Sequence, residues 1–245
     1  MDLGLAGRSY VVTGGSRGLG FATARALAGD GAEILLAARD PERLERSARD
    51  ITARAWAVDL STPGGADTLA AAAVRLLGSV DGVLVNVGGP EPGASLGYSD
   101  EQWQRAIDGV LLASVRLARA FVPVLNDGGS LLFVLSTTVR EPIPGLGASN
   151  VLRPGLAMLV KELAQELAPR LRVNGILPGR IATERMTALT GGDPDALAAV
   201  ESSIPLGRLG RPEEFGDVAA FLLSPAASYV TGMLMPVDGG ILHAP

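Results

Sequence analysis

The residues best placed to do chemistry lie near the start of the chain, in the glycine-dense turn Thr13-Gly14-Gly15-Ser16-Arg17-Gly18-Leu19-Gly20. Glycine lets a backbone take positive φ and pass close to a ligand. A helix that begins there offers unpaired N–H groups and a partial positive charge to a pyrophosphate. The flanks supply that context. Ser9-Tyr10-Val11-Val12 reads as a buried strand, and Phe21-Ala22-Thr23-Ala24-Arg25-Ala26-Leu27-Ala28 has helical spacing of apolar residues. Strand, glycine turn and helix in that order predict a dinucleotide cradle. Composition closes off other chemistries. There is no cysteine, hence no disulfide, thiolate metal site or cysteine nucleophile. The single histidine, His243, lies at the far end of the chain, so no His-based triad or multi-histidine metal site is expected. Lys161 is the only lysine, and the other basic side chains are arginines.

Stepping outward from that turn, strand and helix signals alternate along the chain. Strands are expected at Glu33–Ala38, Ala53–Val58, Gly82–Val85, Ser130–Leu135, Leu171–Ile176 and Met233–Val237. Helices are expected at Pro41–Asp50, with proline in its first turn, and at Ala66–Leu77, Leu156–Ala168 and Pro212–Leu223. Asp100–Leu125 carries one long helical pattern that Ser99 or Asp100 can cap. Alternation of this kind predicts an α/β fold, one doubly wound parallel sheet of Rossmann type with helices on both faces. No linker, low-complexity tract or repeat interrupts it, so residues 1–245 are read as one domain. In such sheets ligands bind beyond the C-terminal strand ends. Thr13, Arg39, Asp59, Asn86, Ser136 and Pro178-Gly179 close successive strands and are expected to converge on one edge.

With 245 residues, 47% of them hydrophobic, the chain can bury a full core. The net charge of −5 is spread out with no basic tract, which argues against nucleic acid as a partner. No apolar run is long enough to span a membrane. The N-terminus lacks the basic-then-apolar pattern of a signal peptide, so a cytoplasmic location is expected.

The ordered series of motifs resembles the short-chain dehydrogenase/reductase family, closest to its β-ketoacyl-acyl carrier protein reductase-like branch, over essentially the whole chain. The family's Thr-Gly-x-x-x-Gly-x-Gly turn corresponds to Thr13, Gly14, Gly18 and Gly20. Asp59-Leu60 corresponds to the acidic position that contacts adenine. Asn86-Val87-Gly88-Gly89 stands for Asn-Asn-Ala-Gly. Arg172-Val173-Asn174, followed by Pro178, Gly179, Ile181 and Thr183, corresponds to the segment that covers the nicotinamide. Pro205-Leu206-Gly207-Arg208, Arg211-Pro212-Glu213-Glu214, Thr231-Gly232 and Val237-Asp238-Gly239-Gly240 complete the C-terminal pattern. The resemblance implies a nicotinamide cofactor, held also by Ser16, Arg17 and Leu19 of the turn. It implies a small-molecule substrate and a homo-oligomer, a tetramer or dimer built on the helices of Asp100–Leu125 and Leu156–Ala168. An NAD site places an acid after the second strand to bond the ribose 2′-OH. Here Ala38 and Arg39 stand there, and Arg17 offers a second cation, which favours NADP(H) over NAD(H).

The resemblance breaks where the family's catalysis resides. Its serine is present as Ser136. Its tyrosine position is Ser149, its lysine position is Arg153, and its helix asparagine position is Val110. No small slip of alignment restores a tyrosine, because the only ones are Tyr10, Tyr98 and Tyr229. A general acid works best with a pKa near the operating pH. An alkyl hydroxyl lies far from it and arginine hardly deprotonates, so Ser149 and Arg153 do not copy the lost pair. Arg153 can bond a ribose hydroxyl or stabilise charge on a carbonyl oxygen. Pro154 suggests a helix that starts near Arg153. Tyr98 is read as a surface or interface residue, Glu91 and Glu141 as solvated carboxylates beside the pocket, and Asp108 as structural. Met233 and Met235 read as core or interface packing. The segment 184–203, with Gly191-Gly192-Asp193-Pro194, reads as a mobile cover over the pocket.

Three readings follow. The first is an NADP(H)-dependent oxidoreductase with an atypical site, acting on a small carbonyl, hydroxyl or related unsaturated substrate. The second is a cofactor-binding protein without redox turnover, a sensor or a partner subunit. The third is a non-redox isomerase or cyclase that reuses the pocket.

Overall fold

The computed structural model describes residues 2–243. Seven strands form one parallel sheet: β1 (Ser9–Thr13), β2 (Glu33–Ala38), β3 (Arg54–Ala57), β4 (Gly82–Val85), β5 (Ser130–Val134), β6 (Arg172–Pro178) and β7 (Leu234–Val237). Their spatial order is β3-β2-β1-β4-β5-β6-β7. Chain order therefore reverses between β1 and β4, where Tyr10 pairs with Gly82 and Val12 with Leu84. Strands β1, β4 and β5 are buried throughout, as expected for strands covered on both faces. Pro236 is tolerated because β7 is an edge strand.

Helices α1 (Gly18–Gly29), α2 (Pro41–Asp50) and α9 (Pro212–Leu223) are joined here with α3 (Gly65–Leu77), α4 (Asp100–Ala106), α5 (Ala113–Phe121) and α6 (Gly147–Glu166). One core layer gathers Leu69, Leu117, Phe121, Leu156 and Val160 against Val83, Leu131 and Phe133. The other gathers Leu27, Leu44, Phe215 and Leu222 against Val12, Leu36 and Leu132. Strand alternation sends neighbouring residues to opposite layers, which fixes the register of each strand against its helices. In the second layer α1 and α9 approach so closely that a Cβ at Gly216 would sit 2.6 Å from Ala22 O.

Two helical expectations are corrected, and a third segment gains a conformation. Helix α6 begins at Gly147 and carries Pro154 inside it, so the proline does not mark its start. The pattern over Asp100–Leu125 is one helical path broken by a π turn at Ile107–Leu112 and ending at Phe121. Gly109 lies in that turn, and Ser114 Oγ donates to Val110 O at 2.7 Å, a local bond that competes with regular α spacing. Ser99 caps α4 through Gln102 N, and the Gln102 side chain returns a bond to Ser99 N. Finally, the segment read as a mobile cover contains two helices, α7 (Glu184–Thr190) and α8 (Pro194–Ser202), separated by Gly191-Gly192-Asp193. The two glycines take φ of +63° and +74°, which ends α7 in left-handed backbone.

Candidate active site

A cleft of about 1430 Å³ runs along the C-terminal strand ends. At its β1 end is the glycine turn. Gly14 and Gly18 take φ of +57° and +54°. A Cβ at Gly14 would sit 2.7 Å from Asn86 O, and one at Gly20 would collide with Gly14 O. Helix α1 follows with no side-chain cap and no acid in its first turn. Its N-terminal N–H groups and positive end therefore face the cleft through Gly18 and Leu19, which line it. Gly14, Ser16, Arg17, Gly18, Leu19, Arg39, Asp59, Leu60, Asn86, Gly88, Pro178, Gly179, Ile181 and Thr183 all line the same cleft. The turn thus has the close backbone approach, and the start of α1 the N–H donors, that a dinucleotide pyrophosphate needs.

Two members of the expected set do not reach it. Thr13 is fully buried; its Oγ1 donates to Leu84 O at 3.0 Å and accepts from Asn86 N at 2.8 Å. It ties β1 to β4 and so holds the turn in place. Gly20 is buried beneath Gly14 and serves the close packing of turn and helix. Arg172 and Asn174, matched to the nicotinamide-covering segment, also point elsewhere. The buried Arg172 donates to Leu222 O, Leu223 O and Ser224 O at 2.8, 3.2 and 3.0 Å, closing the C-terminus of α9. Asn174 bonds Val230 O at 2.8 Å and Met233 N at 2.9 Å, fastening the approach to β7.

Beyond β2, Arg39 borders the cleft beside Asp59. Bonds from Ser61 N (3.0 Å) and Ser61 Oγ (2.7 Å), and then the Arg39 charge, hold the Asp59 carboxyl below its usual range. Arg17 is paired with Glu184, which also takes Arg43 at 3.1 Å. That bridge links the glycine turn, α2 and α7. Glu184 directly follows Thr183 in sequence, but nothing in its spacing names arginines far back in the chain as its partners.

At the β5 end, Ser136 lines the cleft and opens a 3₁₀ turn over Thr137–Val139, with its Oγ accepting from Thr138 N at 3.1 Å. Ser149 and Arg153 are one helical turn apart on the buried face of α6, at 4% and 7% exposure. Ser149 Oγ is 3.1 Å from Thr138 Oγ1. Arg153 Nη1 donates to Val134 O at 2.8 Å and Leu135 O at 2.9 Å. Burial, and secondarily the Arg185 charge, lowers the Arg153 pKa to about 10, so it stays cationic at neutral pH. Val110, at the expected asparagine position, is 1% exposed and packed in the core.

The expectations for Tyr98 and Glu91 are refined. Both line the cleft. The Tyr98 hydroxyl donates to Glu91 O, and its ring lies 5.3 Å from that of Trp103. Glu91 lies near Arg105 at 4.0 Å. Glu141 also lines the cleft and accepts from His243 N at 2.8 Å. Asp108 pairs with Arg116 at 3.2 Å.

Comparison with known proteins places this arrangement. A family profile described as enoyl-(acyl carrier protein) reductase matches residues 14–242. Dehydrogenase/reductase SDR family member 4 of Bos taurus is 34% identical, over 95% of this chain and 86% of its own. L-sorbose reductase of Gluconobacter frateurii, solved with NADPH and L-sorbose, superposes with a TM-score of 0.94 at 33% identity, over 100% of both chains. An NADPH-bound short-chain oxidoreductase of Pseudomonas aeruginosa PAO1, described as containing an atypical catalytic center, superposes with a TM-score of 0.91 at 31% identity. That match covers 97% of this chain and 98% of the other.

Proposed function

The chain belongs to the short-chain dehydrogenase/reductase family, and from that premise we propose that it is an NADP(H)-dependent oxidoreductase with an atypical site. Its substrate is a small carbonyl or hydroxyl compound, or a related unsaturated one. The observation that carries the reading is that the uncapped start of α1 opens into the same cleft as Ser136, Ser149 and Arg153. NADP(H) is favoured over NAD(H) because Arg39 follows β2 where an acid would repel a 2′-phosphate. The structures solved with NADPH support the same choice.

NADPH, held by the glycine turn and by the strand-end residues that line the cleft, would supply the hydride for the carbonyl carbon, the carbonyl π pair then going to oxygen. The chain's own residues place and stabilise that oxygen. Ser136 is a hydroxyl donor at the end of β5. Arg153 is anchored by one nitrogen to Val134 O and Leu135 O, and offers a fixed positive charge to the developing alkoxide. It does so without giving up a proton, since its pKa of about 10 keeps it charged. The proton comes from a water, a substrate group or a cleft carboxylate such as Glu91 or Glu141. The Ser149–Thr138 bond favours the second reading, a cofactor-binding protein without turnover, because it turns the hydroxyl at the tyrosine position toward the protein. The working form is a homo-oligomer, with Val151 and Met158 the exposed apolar residues of α6 available for contact between copies.

The test is a titration with NADPH and NADH by nicotinamide fluorescence, followed by NADPH oxidation with ketones, aldehydes and enones. Micromolar NADPH binding with saturable turnover that Ser136→Ala abolishes supports the oxidoreductase. Binding without turnover selects the second reading, and product formed without cofactor consumption selects an isomerase or cyclase.

A further inference from the structure

Arg153 and Arg185 both line the cleft. Arg185, on the first turn of α7, lays its guanidinium on the backbone at Gly89, where a Cβ would collide with it. Its Nη2 donates to Pro90 O at 3.3 Å. Arg153 is held from the other side by the two β5 carbonyls. Burial lowers the pKa of both arginines, and the like charge of Arg185 is a secondary cause at Arg153.

The acids nearby are engaged elsewhere. Glu184, adjacent in sequence, is taken by Arg17 and Arg43. Glu91 lies against Arg105, and Asp108 against Arg116. Arg185 and Arg153 have no ion pair among the described residues. Two like charges lining one cleft repel, and an anion bound between them relieves that repulsion. Arg185 is an exposed side chain, and the absence of a Cβ at Gly89 lets its guanidinium seat against that backbone.

We propose that this wall recognises an anionic group on the substrate, and that the substrate is a carbonyl compound bearing a carboxylate, an oxo acid. Arg185 holds the carboxylate through the planar edge of its guanidinium, which matches a carboxylate in two-point fashion. Arg153, deeper in the cleft, faces the carbonyl oxygen. The inference rests on the oxidoreductase reading and narrows it to a substrate class. It also makes α7 the specificity element, since Arg185 lies on its first turn.

The experiment compares pyruvate, acetoacetate and levulinate with their methyl esters, by calorimetry on the protein alone and on the protein saturated with NADPH. At least one acid is expected to bind about tenfold or more tightly than its ester. Arg185→Gln is expected to erase that preference and Arg185→Lys to retain part of it. The NADPH affinity stays the same in both variants, which separates loss of the anion site from loss of the fold. Equal binding of acids and esters, absence of acid binding at millimolar concentration, or a preference that survives Arg185→Gln overturns the proposal. Tighter binding of dihydroxyacetone phosphate than of every oxo acid overturns the carboxylate assignment. Failure of NADPH to bind while the acids still bind overturns the oxidoreductase reading and leaves the anion site standing.

Discussion

Ser149 Oγ and Thr138 Oγ1 lie 3.1 Å apart, joining the first part of α6 to the 3₁₀ turn that follows β5. This one contact gives the hydroxyl at the tyrosine position a partner inside the protein. It also connects Ser149 to Ser136, because Thr138 N donates to Ser136 Oγ at 3.1 Å. Ser136 and Ser149 line the cleft, the buried Thr138 joins them from behind through its backbone N–H and its hydroxyl, and Arg153 lies one turn further along α6.

This arrangement predicts a modest effect at Ser149. If its hydroxyl only positions neighbours, Ser149→Ala lowers kcat/KM by less than about tenfold, or ~1.4 kcal/mol. A loss of about a thousandfold in steady-state kinetics would instead assign it the proton transfer that its chemistry argues against.

Arg153 holds two strand-end carbonyls while buried. Arg153→Met removes those bonds and lowers unfolding stability by about 1–3 kcal/mol, offset in part by relief of the buried charge. Arg153→Lys restores a donor and is expected to recover part of the loss. Urea denaturation of the three proteins measures both, and equal midpoints for Met and wild type would show that the carbonyls need no such donor.

The pairing of Glu184 with Arg17 and Arg43 competes with any phosphate for those cations. Glu184→Gln is expected to tighten NADPH binding roughly two- to fivefold, the range of an exposed ion pair, with a smaller change for NADH. Arg39→Ala is expected to weaken NADPH by about tenfold or more and leave NADH nearly unchanged. Fluorescence titration with both cofactors reads the two effects. Equal losses for NADPH and NADH in Arg39→Ala would place the 2′-phosphate elsewhere.

Glu214 gives a pH dependence of known sign. Bonds from the Arg208 side chain and from Arg211 N, aided by both arginine charges, lower its pKa from 4.5 to about 2. The folded pKa lies below the unfolded one, so the unfolded chain binds the proton more readily between them. The group's contribution is therefore full above pH 4.5 and is lost as pH falls toward 2. Melting temperatures of wild type and Glu214→Gln should differ at neutral pH and converge in that acid window. Parallel curves down to pH 2 would remove Glu214 from acid stability.

The sequence by itself determined the frame of the site. Glycine spacing at Gly14, Gly18 and Gly20 and the period-two and helical patterns are local properties of the chain. With the topology they imply, they were enough to expect the glycine turn, all seven strands and the convergence of Arg39, Asp59, Asn86, Ser136 and Pro178-Gly179, though not the burial of Thr13, on one edge. The same is true of what is missing, since a chain with tyrosines only at Tyr10, Tyr98 and Tyr229 has none to place beside Ser136 in the family's pattern. Tertiary structure decided which side chains meet. It buried Thr13 and Gly20 beneath the cleft, sent Arg172 and Asn174 to the far layer, folded α7 and α8 on either side of Gly191-Gly192, and brought Arg185 over Gly89 into the cleft that Arg153 also lines. The physical reason is that periodicity reports which face of an element is apolar. It does not report which distant element, brought near by strand order and crossover, will lie against that face.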